Sequence, residues 1–299
     1  MAVRYDRQTG GRTVVGEDIR DFLADGPHLW ALSAAPGATT FQLRDIRNPA
    51  IAPNTGTFSD PVLELFKTSE GVGVLTNQAV YLLAGNRWQR TDLPTTVDRY
   101  ARHVAEGAPG SIYFGREPGE FGGSLERIDL ASGQVWSFGV EDQDPCEADF
   151  DPQCDPIVGL TPDPQRPGCV TAASGAVHMG MTEGRIYRAC GNTLTLTYTT
   201  PNRTPILMRL LAPTKMWQGL TAPLESLTQT RDGWVAMSWG RYFQMKDGEV
   251  SEHRLPDFEY WHDLRISAEK DGVIILVGGA SKGPATERHY WPIAIPVLD

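Results

Sequence analysis

Trp234-Val-Ala-Met-Ser238 is followed by Arg241-Tyr-Phe-Gln-Met-Lys-Asp-Gly-Glu-Val250 and then by His253-Arg-Leu-Pro256. The first run is short, apolar and long enough only for a strand. The second is a hairpin, because Asp-Gly between two strand-like runs supplies the positive φ that a tight two-residue turn needs. The same form recurs in Val80-Tyr-Leu-Leu-Ala-Gly-Asn-Arg-Trp88, which leads to Thr91-Asp-Leu-Pro94, and in Leu125-Glu-Arg-Ile-Asp-Leu-Ala-Ser-Gly-Gln-Val-Trp136. Outer strands are expected to begin at Trp88, Val135 and Glu249.

Working outward, six such units follow one another. Their second strands read His28–Ser33, Gly71–Leu75, Ser111–Gly115, Cys169–Ser174, Trp234–Ser238 and Val273–Gly278, and their starts are separated by 43, 40, 58, 65 and 39 residues. Three of those spacings equal one four-stranded blade of about 40–45 residues. The two long ones predict insertions at about 141–156 and 204–221. First strands share an opening Asp: Asp18, Asp60, Asp98, Asp155 and Asp263, with Pro223 in that place in the fifth unit. The reading is an all-β chain, one six-bladed β-propeller over residues 1–299. The sixth unit lacks an outer strand, with Thr286–Pro296 as its third. The N-terminal segment from Ala2 to Gly11 is expected to fill that place and close the ring. A pair of immunoglobulin-like sandwiches is the competing architecture, and the recurrence near 40 residues favours the propeller.

The pattern resembles the β-propeller superfamily, and its blades look most like the short propeller repeats of bacterial sensor and sialidase-like proteins. The Ser-x-Asp-x-Gly-x-x-Trp box of sialidase-type blades is absent. The nearest phrase, Thr230-Arg-Asp-Gly-Trp234, precedes a second strand.

Composition agrees with many strands and turns. The 299 residues include 31 Gly and 22 Pro, and 40 % are hydrophobic. Only short stretches such as Pro205–Leu211 have helical character. A net charge of −10 argues against a nucleic-acid surface. No apolar run reaches the length of a membrane span. The opening residues Met1 to Arg7 carry no apolar leader run, which points to the cytoplasm or to a trimmed chain.

The cysteines point the other way. All four, Cys146, Cys154, Cys169 and Cys190, fall in one stretch, with spacings unlike zinc motifs. Cys169 opens a second strand and Cys190 closes the third strand of the same hairpin, so a bridge between them is geometrically natural. Cys146 and Cys154 would staple the insertion. Two disulfides imply an oxidising compartment, which favours an extracytoplasmic (periplasmic or secreted) protein over a cytoplasmic one. Glu141 to Asp155 holds seven carboxylates. Asp144, Asp149, Asp151 and Asp155 form a candidate Ca²⁺ loop, since hard cations take six to eight oxygen ligands. The plain alternative is a solvated acidic loop.

The strand-opening carboxylates are the remaining candidates. In a propeller they crowd one mouth of the channel, so Asp18, Asp60, Asp98 and Asp263, with Arg99, Trp261 and His262, form a candidate ligand site. The competing reading has each Asp bonding its own turn. The six histidines show no metal-ligand spacing, and no Gly-x-Ser-x-Gly elbow is present. Gly278–Gly283 follows a strand but precedes no helix, so it reads as a hairpin connection. Two functions remain. The first is a non-enzymatic binding or scaffolding propeller presenting one face to a protein or glycan partner. The alternative is a propeller hydrolase or lyase with a polar site at the channel mouth.

Overall fold

The computed structural model describes residues 2–5, 12–16, 19–35, 38–47, 56–84, 87–119, 122–139, 155–178, 181–202, 221–255, 262–269, 272–280 and 288–295. For 2–16, 176–181 and 262–295 the description is of backbone alone. Among these residues every regular element is a strand, and no helix is long and apolar enough to cross a membrane.

The chain divides into two compact units, Met1–Ile112 with Ile128–Val135, and Tyr113–Arg127 with Trp136–Asp299. In the first, β1 (Ala2–Tyr5) pairs with β2 (Arg12–Gly16). Two four-stranded antiparallel meanders follow. One is β3 (Ile19–Asp25), β4 (His28–Ser33), β5 (Phe41–Asp45) and β6 (Gly56–Phe58). The other is β7 (Val62–Thr68), β8 (Gly71–Thr76), β9 (Ala79–Ala84) and β10 (Arg87–Asp92). The unit boundary passes through the next sheet, β11 (Ala101–Glu106), β12 (Ser111–Arg116), β13 (Ser124–Asp129) and β14 (Val135–Ser137).

The second unit continues with β15 (Ile157–Pro162), β16 (Cys169–His178), β17 (Met181–Cys190) and β18 (Thr193–Thr199). Then come β19 (Leu224–Gln229), β20 (Gly233–Ser238), β21 (Arg241–Lys246) and β22 (Glu249–Arg254). A three-stranded sheet, β23 (His262–Glu269), β24 (Gly272–Ala280) and β25 (Arg288–Ile295), ends the described chain.

All six expected second strands are present, at β4, β8, β12, β16, β20 and β24. The outer strands begin at Arg87, Val135 and Glu249. Asp247 and Gly248 both have positive φ, 51° and 87°, as their hairpin requires. Among the described residues β1 hydrogen-bonds to β2 in a ribbon of its own, where the sequence led us to expect a fourth strand for the β23–β25 sheet. A local hairpin closes a loop of only a few residues, so it costs less chain entropy than a pairing across the length of the molecule.

A feature invisible in the sequence recurs along the first strands. Register shifts between Ile19 and Asp21, Val62 and Glu64, Ile157 and Gly159, Leu224 and Ser226, and His262 and Arg265. A bulge near the start of a strand bends it and raises its twist.

The cores lie between sheets. In the first unit Trp30, Leu32, Leu43 and Phe58 pack on Leu65, Val72, Val74 and Leu83. In the second, Val158, Ala173 and Ile186 pack on Leu224, Leu227, Trp234 and Phe243. First strands also exchange polar clamps. Leu65 N–H donates to Asp21 Oδ2 at 3.2 Å, and Ser69 N–H and Oγ both donate to Glu106.

Cys169 and Cys190 lie directly opposite in register and are bridged, as expected. Cys146 and Cys154 lie outside the described residues. The bridge closes a loop of about 20 residues, so removing it with Cys169→Ala and Cys190→Ala should lower unfolding free energy by about 3 kcal/mol. Urea denaturation checks this, and an unchanged midpoint would contradict it.

Candidate functional site

In an antiparallel meander the start of the first strand, the second turn and the exit of the fourth strand share one end of the sheet. In the second unit this end carries the long connections: 138–156 before β15, 200–223 before β19 and 255–261 before β23. The opposite end has short turns, such as Gly191–Asn192 and Asp247–Gly248. Both sequence-predicted insertions therefore leave from the same end of their sheets. Residues 140–154, 203–220 and 256–261 themselves lie outside the described residues.

The base of the second connection is sewn to the β16–β17 hairpin, whose strands are ten residues long against six in β20 and β21. Asn202 and Thr221 form an isolated bridge. Thr182 Oγ1 donates to Thr221 O at 2.6 Å, and Gly184 N–H donates to Thr221 Oγ1 at 2.9 Å. Thr200 Oγ1 reaches both Gly184 O and Ala222 O. A Cβ at Gly184 would run into Ala222 O and Thr200, so glycine is needed for the approach.

Trp239 occupies the β20–β21 turn and is 48 % exposed. The turn is tied on both sides. Ser238 Oγ donates to Pro223 O at 2.6 Å, and Leu255 N–H donates to Gly240 O at 3.0 Å. An exposed indole is thus held where the second connection ends and the third begins.

The strand-opening carboxylates that are described all accept hydrogen bonds from within the chain. Asp60 receives Tyr81 Oη at 3.3 Å and faces Arg90 at 3.5 Å. Arg90 also donates to Tyr81 Oη and to Asp92. Asp98 accepts the Tyr100 N–H at 2.9 Å, closing its own turn, while Arg99 lies over the Tyr100 ring with its guanidinium 3.0 Å from the hydroxyl. Asp155, the only one of the four proposed Ca²⁺ ligands among the described residues, is buried. It accepts Ser174 Oγ at 3.0 Å and faces Tyr187 Oη and Arg185 at 3.5 Å. Arg185 also pairs with Glu183.

Asp60–Tyr81 and Asp155–Tyr187 occupy the same place in two repeats: each Asp lies two residues before its first strand, and each Tyr on the third. The cation differs, coming from β10 in one case and β17 in the other. The electrostatics follow from burial. Desolvation pushes the Tyr187 phenol far above its usual range, and nearby Asp155 adds to it. Burial works against the Arg185 charge, yet Tyr187, Glu183 and Asp155 together hold the guanidinium above its ordinary pKa. Burial raises the Glu183 carboxyl, opposed by Arg185.

The remaining sequence candidates are placed only in part. His262 and Asp263 open β23, without described side chains. Asp18, Trp261, Asp144, Asp149 and Asp151 lie outside the described residues. Among the described residues no three His, Cys, Asp or Glu side chains gather as a metal site. Sequence reasoning did not find Ser174, Glu183, Arg185 and Tyr187 as the partners of Asp155, nor Trp239. An Arg-x-Tyr pair on a strand carries no signal until the strand's register is known.

No family model matches this sequence, and neither does any curated protein. Among solved structures, Hsv2 of Kluyveromyces lactis superposes with a TM-score of 0.51 at 12% identity, covering 98% of this chain and 91% of Hsv2. A second structure of Hsv2, with complete loop 6CD, gives 0.50 at the same identity and coverage. The Neurospora crassa Pan2 WD40 domain gives 0.47 at 12% identity, over 87% of this chain and 75% of that domain. Hsv2 is a β-propeller protein, and at 12% identity the likeness is one of fold: the chain has a propeller-like fold of antiparallel four-stranded sheets.

Two outcomes are expected. Asp155→Ala removes a buried carboxylate that accepts Ser174 Oγ and faces the Arg185 guanidinium, itself 17% exposed, and should cost about 3 kcal/mol. Asp60→Ala, whose partner Arg90 is 43% exposed, should cost about 1 kcal/mol or less. Chemical denaturation of both variants measures the contrast, and equal losses would contradict it. Because the folded state raises the Glu183 pKa, that group's stabilising share is present below its unfolded pKa and is lost as pH rises above it. Glu183→Gln should therefore flatten the fall in stability above about pH 4.3. Melting temperatures of the two proteins across that range decide it.

Proposed function

We propose that this chain is a non-enzymatic, six-bladed binding propeller that presents the long-connection end of its second unit to a protein partner. Five four-stranded sheets and the three-stranded β23–β25 sheet support a count of six. The observation that carries the reading is Trp239. A large, rigid aromatic is exposed on a turn pinned at both flanks, and such residues supply contact area at small entropic cost. The described strand-opening carboxylates support it from the other side. Asp60, Asp98 and Asp155 serve turns and ion pairs within their own sheets. The Cys169–Cys190 bridge favours an oxidising, extracytoplasmic compartment.

A photo-crosslinker at position 239 tests this, followed by titration of the captured partner against purified protein. Trp239→Ala should weaken binding by about thirtyfold, the size of a 2 kcal/mol hot spot. Trp136, 44% exposed on outer strand β14, is the control, and Trp136→Ala should leave affinity unchanged. Equal losses from both substitutions, or none from either, would sink the reading. Turnover of any substrate abolished by His262→Ala or Asp263→Ala would replace it with the hydrolase or lyase.

A further inference from the structure

The outer strands of the five four-stranded sheets are edges, and edge strands are usually protected by shortness or by charge. β6 and β14 have three residues each. β10 carries Arg87, Arg90 and Asp92, and β22 carries Glu249, Glu252 and Arg254. β18 has neither protection. It is seven residues long, Thr-Leu-Thr-Leu-Thr-Tyr-Thr, without a charge, and Leu196 on it is 40 % exposed. Among the described residues it is the terminal strand of its sheet.

The register shows which backbone groups face outward. Gly191–Asn192 is a two-residue turn, so the flanking pair Cys190–Thr193 exchanges both backbone hydrogen bonds, and Arg188–Thr195 does so again. Ala189–Leu194 and Tyr187–Leu196 are the pairs between and beyond. The N–H and C=O of Leu194 and Leu196 therefore point away from β17, toward the edge. The irregularity that follows Leu196 ends the flat segment at Thr197.

That segment, Thr193-Leu-Thr-Leu-Thr197, reads the same in both directions. We propose that the β18 edge is a self-association surface, on which a second copy of this chain adds its own β18 antiparallel about a twofold axis at Thr195. The axis pairs Leu194 with Leu196 of the second copy, and these are the residues whose backbone groups face outward. Two such pairs form about four hydrogen bonds. Thr193 meets Thr197 of the second copy, and Thr195 meets its own equivalent. Threonine pairs of this kind favour cross-strand contact, and a twofold interface must be self-complementary. Charge selects the same place. Two copies at −10 each repel, and an uncharged edge is where approach costs least.

The interface is small, so association is weak and is read by sedimentation velocity at concentrations on the order of 100 µM. The wild-type chain should show a concentration-dependent monomer–dimer equilibrium. Thr195→Lys and Thr195→Glu each place like charges against each other at the axis, and each should weaken association by about tenfold or more. An equimolar mixture of the two should recover the dimer, because Lys then faces Glu. Circular dichroism of each variant checks that this exposed position leaves the fold intact. A wild-type protein that stays monomeric overturns the proposal, as does a Thr195→Lys protein that dimerises like the wild type. A mixture no better than its components overturns it equally.

Discussion

Close approach between successive sheets is the constraint on which the second unit rests. A Cβ on Gly159 would lie 2.5 Å from the Cβ and backbone N of Leu227, and one on Gly175 would run into Leu224 O. Gly115 is in the same position against Ile157, and Gly123 against Asp155 and Pro156. Sheets that lie this near leave no room for side chains at those points. The apolar residues on either side, Val158, Ala173, Leu224 and Leu227, then interdigitate at interior density. The bulges near the starts of the first strands belong to the same arrangement, since they bend each strand where its sheet meets the next.

Once the sheets are set at that distance, polar groups at their ends must find partners close by. Asp155 shows the consequence. Its carboxylate is buried with Ser174, Tyr187 and Arg185, so a guanidinium and two hydroxyls stand where water would otherwise solvate it. Asp60 stands at the same place in an earlier repeat, and its cation comes from the outer strand, nearer solvent. One position in the repeat thus supports two different degrees of burial. Both positions pair an Asp with an Arg, and what differs is the strand that supplies the Arg.

The long connections follow from the same economy. In the second unit the turns before β18 and β22 have two residues each, while the connections before β15, β19 and β23 leave from the other end of the sheets. Threonines 182, 200 and 221 fasten the base of one such connection to the lengthened β16–β17 hairpin. Loops whose bases are fixed by a rigid scaffold can carry recognition without loosening the core.

Much of the fold was legible in the residues themselves. Apolar runs at recurring intervals marked the six second strands, Asp247-Gly248 marked a hairpin, and the placement of Cys169 and Cys190 at facing strand ends marked their bridge. These are local properties, set by side-chain alternation and by the φ a turn demands. The tertiary structure alone decided which groups the strand-opening carboxylates meet, that Trp239 is held open between two connections, and that β1 pairs with β2. Those outcomes depend on register and on the distance between sheets, which residues far apart in the chain determine together. A local pattern names the strand; only its neighbours decide what each side chain faces.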